Sequence, residues 1–285
     1  MLPDLITEAS RRWGLTAVQP VSNLSYNFVA FAHRLLSPQG RGGGGEGEVI
    51  LKIGVPNDEL KSEIAALRFY DGRGACRLLA ADSGKGMLLL ERLQPGRMAS
   101  TLEDDEEATR IAADVMLQLW RPLPENRGDF IQLRDWFDGF KRLRKRFDGG
   151  TGPLPEHLVE RAEGLSLELL AENRDETLLH GDFHHYNLLE SERGWLVIDP
   201  KGVIGPRGYE VGPLLTNPYE SFLNGSDPKA QTARRVAILS ERLGMERERI
   251  RAWGTCHSVL SAWWSLEDKG DWTYAIRCAE IIMQA

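Results

Sequence analysis

The sequence predicts an α+β fold in two lobes: an N-terminal antiparallel sheet with one main helix, and a mostly helical C-terminal lobe carrying a polar loop and a β-hairpin. Three observations carry this. Between residues 26 and 90, short apolar runs show the period-two pattern of strands or stand between turn clusters. After Gly96 the apolar spacing becomes helical. The segment LLHGDFHHYNLLESERGWLVIDP, residues 178–200, sets two short apolar runs around a turn cluster at 191–194 and reads as a loop feeding a hairpin. The boundaries that follow are an N-terminal lobe at 1–95, a hinge near 91–96 and a C-terminal lobe at 96–285.

In the N-terminal half, residues 26–32 partly alternate, and Val49, Leu51 and Ile53 share one face of a second run, so the two form a hairpin. The glycines at 42–45 between them lack the Gly-Lys-Ser/Thr ending of a phosphate-binding loop and read as a flexible connection. Lys52 stands alone among β-branched and leucine neighbours, and if it faces inward it needs an anionic partner. Glu63 is that partner, eleven residues on in KSEIAALRFY, where Ile64, Leu67 and Phe69 give helical spacing; Glu59 is its rival. Runs at 77–81 and 86–90 flank the turn at 82–85 and form a second hairpin. Pro95 and Gly96 end the strand and mark the hinge.

Beyond the hinge, Thr101 and the acidic run 104–107 open a helix carrying Ile111, Val115 and Leu119, stopped by Pro122 and Pro124. A second stripe holds Leu133, Trp136, Phe137, Phe140 and Leu143, and a third Leu158, Ala162, Leu165 and Leu169. The basic residues Lys141, Arg142, Arg144, Lys145 and Arg146 read as a solvated helix face, because the chain as a whole has a net charge of −7.

An apolar fraction of 42% and 27% charge over 285 residues are ordinary for a globular protein. There is no run of membrane-span length and no secretion signal at the amino terminus, which points to a cytoplasmic protein that engages neither membrane nor nucleic acid. Cys76, Cys256 and Cys278 are odd in number and widely spaced, as expected of reduced core thiols.

The hairpin geometry brings Asp182, Asn187 and Asp199 to one end. Two carboxylates and an amide there can hold Mg²⁺ through hard oxygens while one carboxylate stays free to accept a proton, which are the parts phosphoryl transfer needs. Two other readings exist. His-x-Asp-x-His-His could bind a transition metal, although no second histidine cluster accompanies it. Alternatively Asp182 and Asn187 cap turns and His180 is a core residue.

His-Gly-Asp, an Asn five residues later and a strand-borne Asp twelve further on resemble the catalytic and metal segments of protein-kinase-like enzymes. The departures, His-Gly-Asp for His-Arg-Asp and Asp199-Pro200-Lys201-Gly202 for Asp-Phe-Gly, point to the aminoglycoside phosphotransferase branch. HGDFHHYN and WLVIDPKGVIGPRGYEVGPLLTNP are similar to the streptomycin 6-phosphotransferase and hydroxyurea phosphotransferase family, most extensively in the C-terminal half. The resemblance implies a protein-kinase-like bilobal fold that uses ATP and Mg²⁺.

It also implies roles. Asp182 would orient and deprotonate the acceptor hydroxyl, Asn187 and Asp199 would hold Mg²⁺, and His184 would stabilise the transferring phosphoryl group. Lys52 would hold the α and β phosphates, with Glu63 orienting it. Ser22, Asn23 and Ser25 would cover phosphate, and Glu91 and Leu93 would offer hinge backbone to adenine. Lys201, Tyr209 and Glu210 fall in the acceptor-side segment. Near the C-terminus aromatic residues including Trp253, Trp263, Trp264, Trp272 and Tyr274 stand beside Glu267, Asp268 and Asp271, which suits a cationic, polyhydroxylated small molecule. The function expected is that of a streptomycin 6-kinase-like enzyme of antibiotic inactivation, with no obligate protein partner. A kinase of hydroxyurea or another small metabolite, and a nucleotide-binding pseudokinase regulator, are the alternatives.

Overall fold

A computed structural model describes residues 2–21, 27–35, 46–171, 175–219 and 227–285. The expected phosphate-covering residues Ser22, Asn23 and Ser25, and the glycine run, lie outside the described residues.

Helix α1 (Leu2–Trp13) and strand β1 (Leu15–Pro20), neither foreseen from sequence, precede the two hairpins: β2 (Phe28–Leu35) with β3 (Glu46–Ile53), and β4 (Leu78–Asp82) with β5 (Met87–Glu91). They form one antiparallel sheet in the order β1-β2-β3-β5-β4. The period-two geometry of β3 divides its side chains. Val49, Leu51 and Ile53 pack with Ala9, Trp13 and Leu15 on one side. On the other, Ile50 meets Leu60, Ile64 and Leu67 of α2 (Asp58–Tyr70). Lys52, two residues from Ile50, therefore points to the α2 side. Asn57 caps α2 by accepting the Leu60 N–H at 2.9 Å, and Asp71 ends it in the left-handed region.

Pro95 and Gly96 do not close a strand, as the sequence suggested, but belong to one: β6 (Pro95–Met98) pairs with β9 (Leu188–Ser191), which pairs with β10 (Gly194–Val197). A proline fits because β6 is an edge strand. The remaining strands are β7 (Ile131–Gln132), β8 (Glu176–Leu179) and β11 (Val203–Pro206), with β11 in the middle of a three-stranded sheet. The helices are α3 (Asp105–Leu119), α4 (Leu133–Arg146), α5 (Glu156–Ala171), α6 (Val211–Leu215), α7 (Pro228–Leu243), α8 (Arg247–Glu267) and α9 (Thr273–Gln284).

Helix α8 is the axis of the helical half. Trp253, Cys256, Val259, Leu260 and Trp263 on it are buried, each large apolar side chain contributing about 1.5–3 kcal/mol. The basic face of α4 is engaged in ion pairs: Arg142 with Glu267 at 3.1 Å, Arg144 with Glu163 at 2.7 Å and Lys141 with Asp138 at 2.6 Å. All three cysteines are free and buried, and burial pushes the Cys278 thiol up to about 12. Among the described residues no helix is long and apolar enough to cross a membrane.

Candidate active site

Hydrogen bonds between buried side chains and the backbone hold the loop between β8 and β9. Its first residue, His180, is fully buried; its Nε2 lies 2.8 Å from the Ile198 carbonyl and its Nδ1 3.2 Å from the Asp182 N–H. These partners fix one neutral tautomer, with the proton on Nε2 donated to Ile198 and Nδ1 accepting from Asp182. Both ring nitrogens are thereby occupied, so His180 braces the loop and is not a metal ligand. Gly181 follows with φ of 85°, where a Cβ would sit 2.7 Å from Val203 and 3.1 Å from Trp136.

Glu210 completes the brace. Its carboxylate, fully buried, accepts the N–H of His180 at 3.0 Å and of Gly181 at 2.8 Å. Tyr209 beside it is also buried, its hydroxyl 3.0 Å from His257 Nδ1 and its ring edge-on to Trp136, Phe137 and Trp253. Both residues were expected to touch the acceptor. Neither can, because neither has exposed surface; they support the loop and the pocket wall from behind.

Asp182, Asn187 and Asp199 line one cavity of about 580 Å³ together with Lys52 and Glu63. The Asn187 carbonyl accepts the Ile198 N–H at 3.0 Å, which sets Asn187 beside the residue preceding Asp199. Its Nδ2 donates to the Asp182 carbonyl at 3.0 Å, turning Oδ1 the other way. Asp199 takes a positive φ of 58°, a conformation tolerated by Asp, and its side chain is 45% exposed. An amide oxygen just before β9 and a half-open carboxylate just after β10 are hard oxygen donors of the kind Mg²⁺ takes, so this pair fits the ion.

Lys52 is buried, 2.7 Å from Glu63 and 3.2 Å from Asp199. Burial works to lower its pKa, but the two carboxylates outweigh burial and raise it, so the ammonium stays charged. The helix carrying Glu63 is held in place by Ser62: its hydroxyl donates to the Gly202 carbonyl at 2.6 Å and accepts the Ile131 N–H at 3.4 Å. Gly202 has φ of 68°, and a Cβ there would lie 2.5 Å from the Ser62 carbonyl oxygen.

Asp182 is ionised. Burial alone would raise its pKa, but the side-chain contact with His184 and the nearby charge of Lys201 hold it well below the usual carboxylate range. The His184 ring is directed at the loop itself, Nε2 lying 3.5 Å from the Asp182 carboxylate and 3.4 Å from Asn187 Nδ2. At the position expected for the hinge, the Glu91 N–H is engaged by the Arg77 carbonyl at 3.0 Å and its carboxylate by Arg193 at 2.5 Å, while the Leu93 side chain is buried. Sequence reasoning passed over Ile50, Leu189 and Ile198, partly exposed residues packed against the Leu90 and Leu93 cluster. Their signal was placement: Ile50 shares a strand face with Lys52, and Ile198 precedes Asp199.

A second cavity of about 680 Å³ opens on the other side of Asp182. Lys201, Glu267, Asp268, Trp264 and Tyr274, placed on the acceptor side by the sequence, line it, as does Asn217 of the segment that carries the resemblance; Trp136 and His257 also do, although they sat in helical stripes that read as core. Asp271 does not line it. Helix α8 ends at Glu267, and Asp271 turns outward to accept the N–H and hydroxyl of Thr273 at 2.9 and 2.7 Å, at the start of α9. Trp253 and Trp263 belong to the core.

The buried histidines make stability depend on pH. Burial lowers His180 and His257 to about 4, and holds His185, whose ring nitrogens have no hydrogen-bond partner among the described residues, well below the ordinary value. Unfolded imidazoles titrate near 6.5, so below about pH 6.5 the unfolded chain binds more protons and stability falls as pH drops toward 4. Glu210, raised by burial to about 7, works in the opposite sense between about 7 and 4.5. Three protons oppose one, and a net loss of up to roughly 3 kcal/mol per pH unit near pH 5 is expected. Denaturant titrations at pH 7.5, 6 and 5 check this; equal midpoints at all three would contradict it.

The family described as aminoglycoside/hydroxyurea antibiotic resistance kinase matches residues 32–269. Streptomycin 6-kinase of Streptomyces glaucescens is 30% identical over 272 residues, 94% of this chain and 84% of that protein. Hydroxyurea phosphotransferase of Kitasatospora aureofaciens is 33% identical over 279 residues, 94% and 74% respectively. Among solved structures, aminoglycoside phosphotransferase APH(4)-Ia in complex with ADP and hygromycin B superposes with a TM-score of 0.65 at 13% identity, over 98% of both chains. Choline kinase LicA from Streptococcus pneumoniae does so with 0.65 at 14%, over 100% and 99%. The fold is thus protein-kinase-like, and the chain belongs to the aminoglycoside/hydroxyurea antibiotic resistance kinase family.

Proposed function

We propose that this enzyme transfers the γ-phosphoryl group of ATP, with Mg²⁺, to a hydroxyl of a cationic, polyhydroxylated antibiotic of the aminoglycoside class, with streptomycin as the acceptor. The observation that carries the reading is the meeting of two cavities at Asp182, one holding the phosphate and metal donors and the other aromatic rings and carboxylates.

Asp182 orients the acceptor hydroxyl and receives its proton. Because its pKa is depressed, it is a weak base, suited to a loose transition state in which the hydroxyl becomes acidic only as it bonds to phosphorus. His184 holds the Asp182 carboxylate in place. Lys52, set by Glu63, binds the α and β phosphates, and Ile50, Leu189 and Ile198 offer apolar faces to the purine. Asn187 and Asp199 would hold Mg²⁺, which supplies charge neutralisation between the phosphates. Use of ATP supports the expectation of a cytoplasmic protein.

The acceptor side favours a large cationic molecule over hydroxyurea. Its volume of about 680 Å³ lies in the range of sites for drug-sized ligands, and Glu59, Asp268, Trp136 and Trp264 supply anionic and π-face contacts for guanidinium or ammonium groups. Relatives named streptomycin 6-kinase, of Streptomyces glaucescens and Streptomyces griseus, cover 94% and 76% of the chain, and streptomycin 3''-kinase of Klebsiella pneumoniae covers 79%, which supports streptomycin as the acceptor; the 6-hydroxyl rests on the two 6-kinases. The test is an acceptor screen with Mg-ATP across streptomycin, other aminoglycosides, hydroxyurea and choline, followed by NMR of the product. Streptomycin is expected to give the highest kcat/KM, with phosphate at the 6-position. A higher value for hydroxyurea or choline overturns the assignment of class.

A further inference from the structure

The two cavities share four residues, Glu59, Asp182, His184 and Lys201, which mark the seam a phosphoryl group crosses between nucleotide and acceptor. Two of the four are carboxylates, and the His184 ring faces one of them at 3.5 Å. Lys201 alone brings a permanent positive charge. Lys52 is neutralised by Glu63 and Asp199, whereas Lys201 makes no ion pair among the described residues.

Its backbone is nevertheless fixed from both sides. The Lys201 N–H donates to the His180 carbonyl at 2.7 Å, and the adjoining Gly202 carbonyl accepts from Ser62 at 2.6 Å. A rigid base under an uncommitted ammonium, at the one place common to both cavities, is what stabilisation of a crossing anion requires.

We propose that Lys201 is a catalytic cation that binds the oxygens of the γ-phosphoryl group during transfer, a role resting on the phosphotransferase reading above. In the step, the bond from the γ-phosphorus to the bridging oxygen breaks and its electron pair leaves with ADP. A bond from the acceptor oxygen to phosphorus forms, and the hydroxyl proton passes to Asp182. Lys201 keeps its proton throughout and neutralises charge on the three non-bridging oxygens. This assigns to Lys201 the stabilising part that sequence resemblance gave to His184, whose ring is turned to Asp182.

The experiment compares wild type with Lys201→Met and Lys201→Arg in two readouts. Steady-state kinetics with streptomycin and Mg-ATP should show kcat lowered about 100-fold in Lys201→Met, both KM values within about fivefold, and partial rescue in Lys201→Arg. Calorimetry without acceptor should show Mg-ADP binding unchanged in Lys201→Met, but loss of the tightening that aluminium fluoride, a mimic of the planar transferring group, produces in wild type. A kcat within threefold of wild type, a loss confined to the acceptor KM, or fluoride tightening equal in variant and wild type would overturn the proposal. So would absence of tightening in wild type, since the seam must favour the crossing group unaided. If streptomycin is not phosphorylated, the acceptor assignment fails while the fluoride readout still decides the role of Lys201.

Discussion

Substitution of Asp182 by Asn is expected to lower turnover by about 10³-fold while Mg-ATP binding is retained. Asn keeps the size of the side chain and its backbone contacts, including the Asp182 N–H to His180 Nδ1 bond of 3.2 Å, so the loop should hold its shape. What disappears is the negative charge and the ability to take up a proton. In the proposed mechanism both act on the acceptor hydroxyl, and neither acts on the nucleotide, which is bound by Lys52 and the donors around it. The measurements are ADP release in the presence of acceptor and nucleotide affinity by calorimetry. Turnover above about one tenth of wild type would remove Asp182 from this role.

Glu210→Ala is the second large effect, expected from stability as well as activity. The buried carboxylate accepts two backbone N–H groups, and deleting it orphans both where water does not reach. Each stranded donor costs about 1–3 kcal/mol, so a loss of about 2–6 kcal/mol is expected, with fast amide exchange at residues 180 and 181. Activity should fall as well, because those amides set the loop that presents Asp182. Glu210→Gln keeps one acceptor oxygen but turns an amide N–H₂ toward a second N–H, and should fall between the two. A stability within about 0.5 kcal/mol of wild type for Glu210→Ala would show that the loop is held by other means.

The extent to which these features could be read from sequence follows from where each signal resides. The hairpins β2–β3 and β4–β5 announce themselves because alternation of side chains is a property of the chain alone. The stripes of α3, α4 and α5 do so for the same reason. Strands of two to four residues such as β7, β8 and β11 are too short to show a period, and their pairing is set by tertiary contacts. The loop groups Asp182, Asn187 and Asp199 were legible as a set of oxygen donors at recognisable spacing.

The partners of Tyr209 and Glu210 were not legible. Glu210 binds backbone amides, which every residue possesses and no sequence displays, so a polar residue beyond the hairpin looked like a contact for the acceptor. Trp136 and His257 were missed for the converse reason: a helix stripe facing a cavity has the same composition as one facing the core. Asp268 and Asp271 differ only in that α8 ends between the residues before them and the turn that carries Asp271 away.

The hydroxyl of Ser62 ties α2 to the segment following Asp199 and to the start of β7 at once. In kinases whose activity is switched, the corresponding helix swings, and with it the glutamate that pairs the strand lysine. Here that swing would strip a buried hydroxyl of its acceptor and part the Glu63 carboxylate from Lys52. With the Lys52–Glu63 pair already made, the proposed function predicts an output that follows the supply of nucleotide and acceptor.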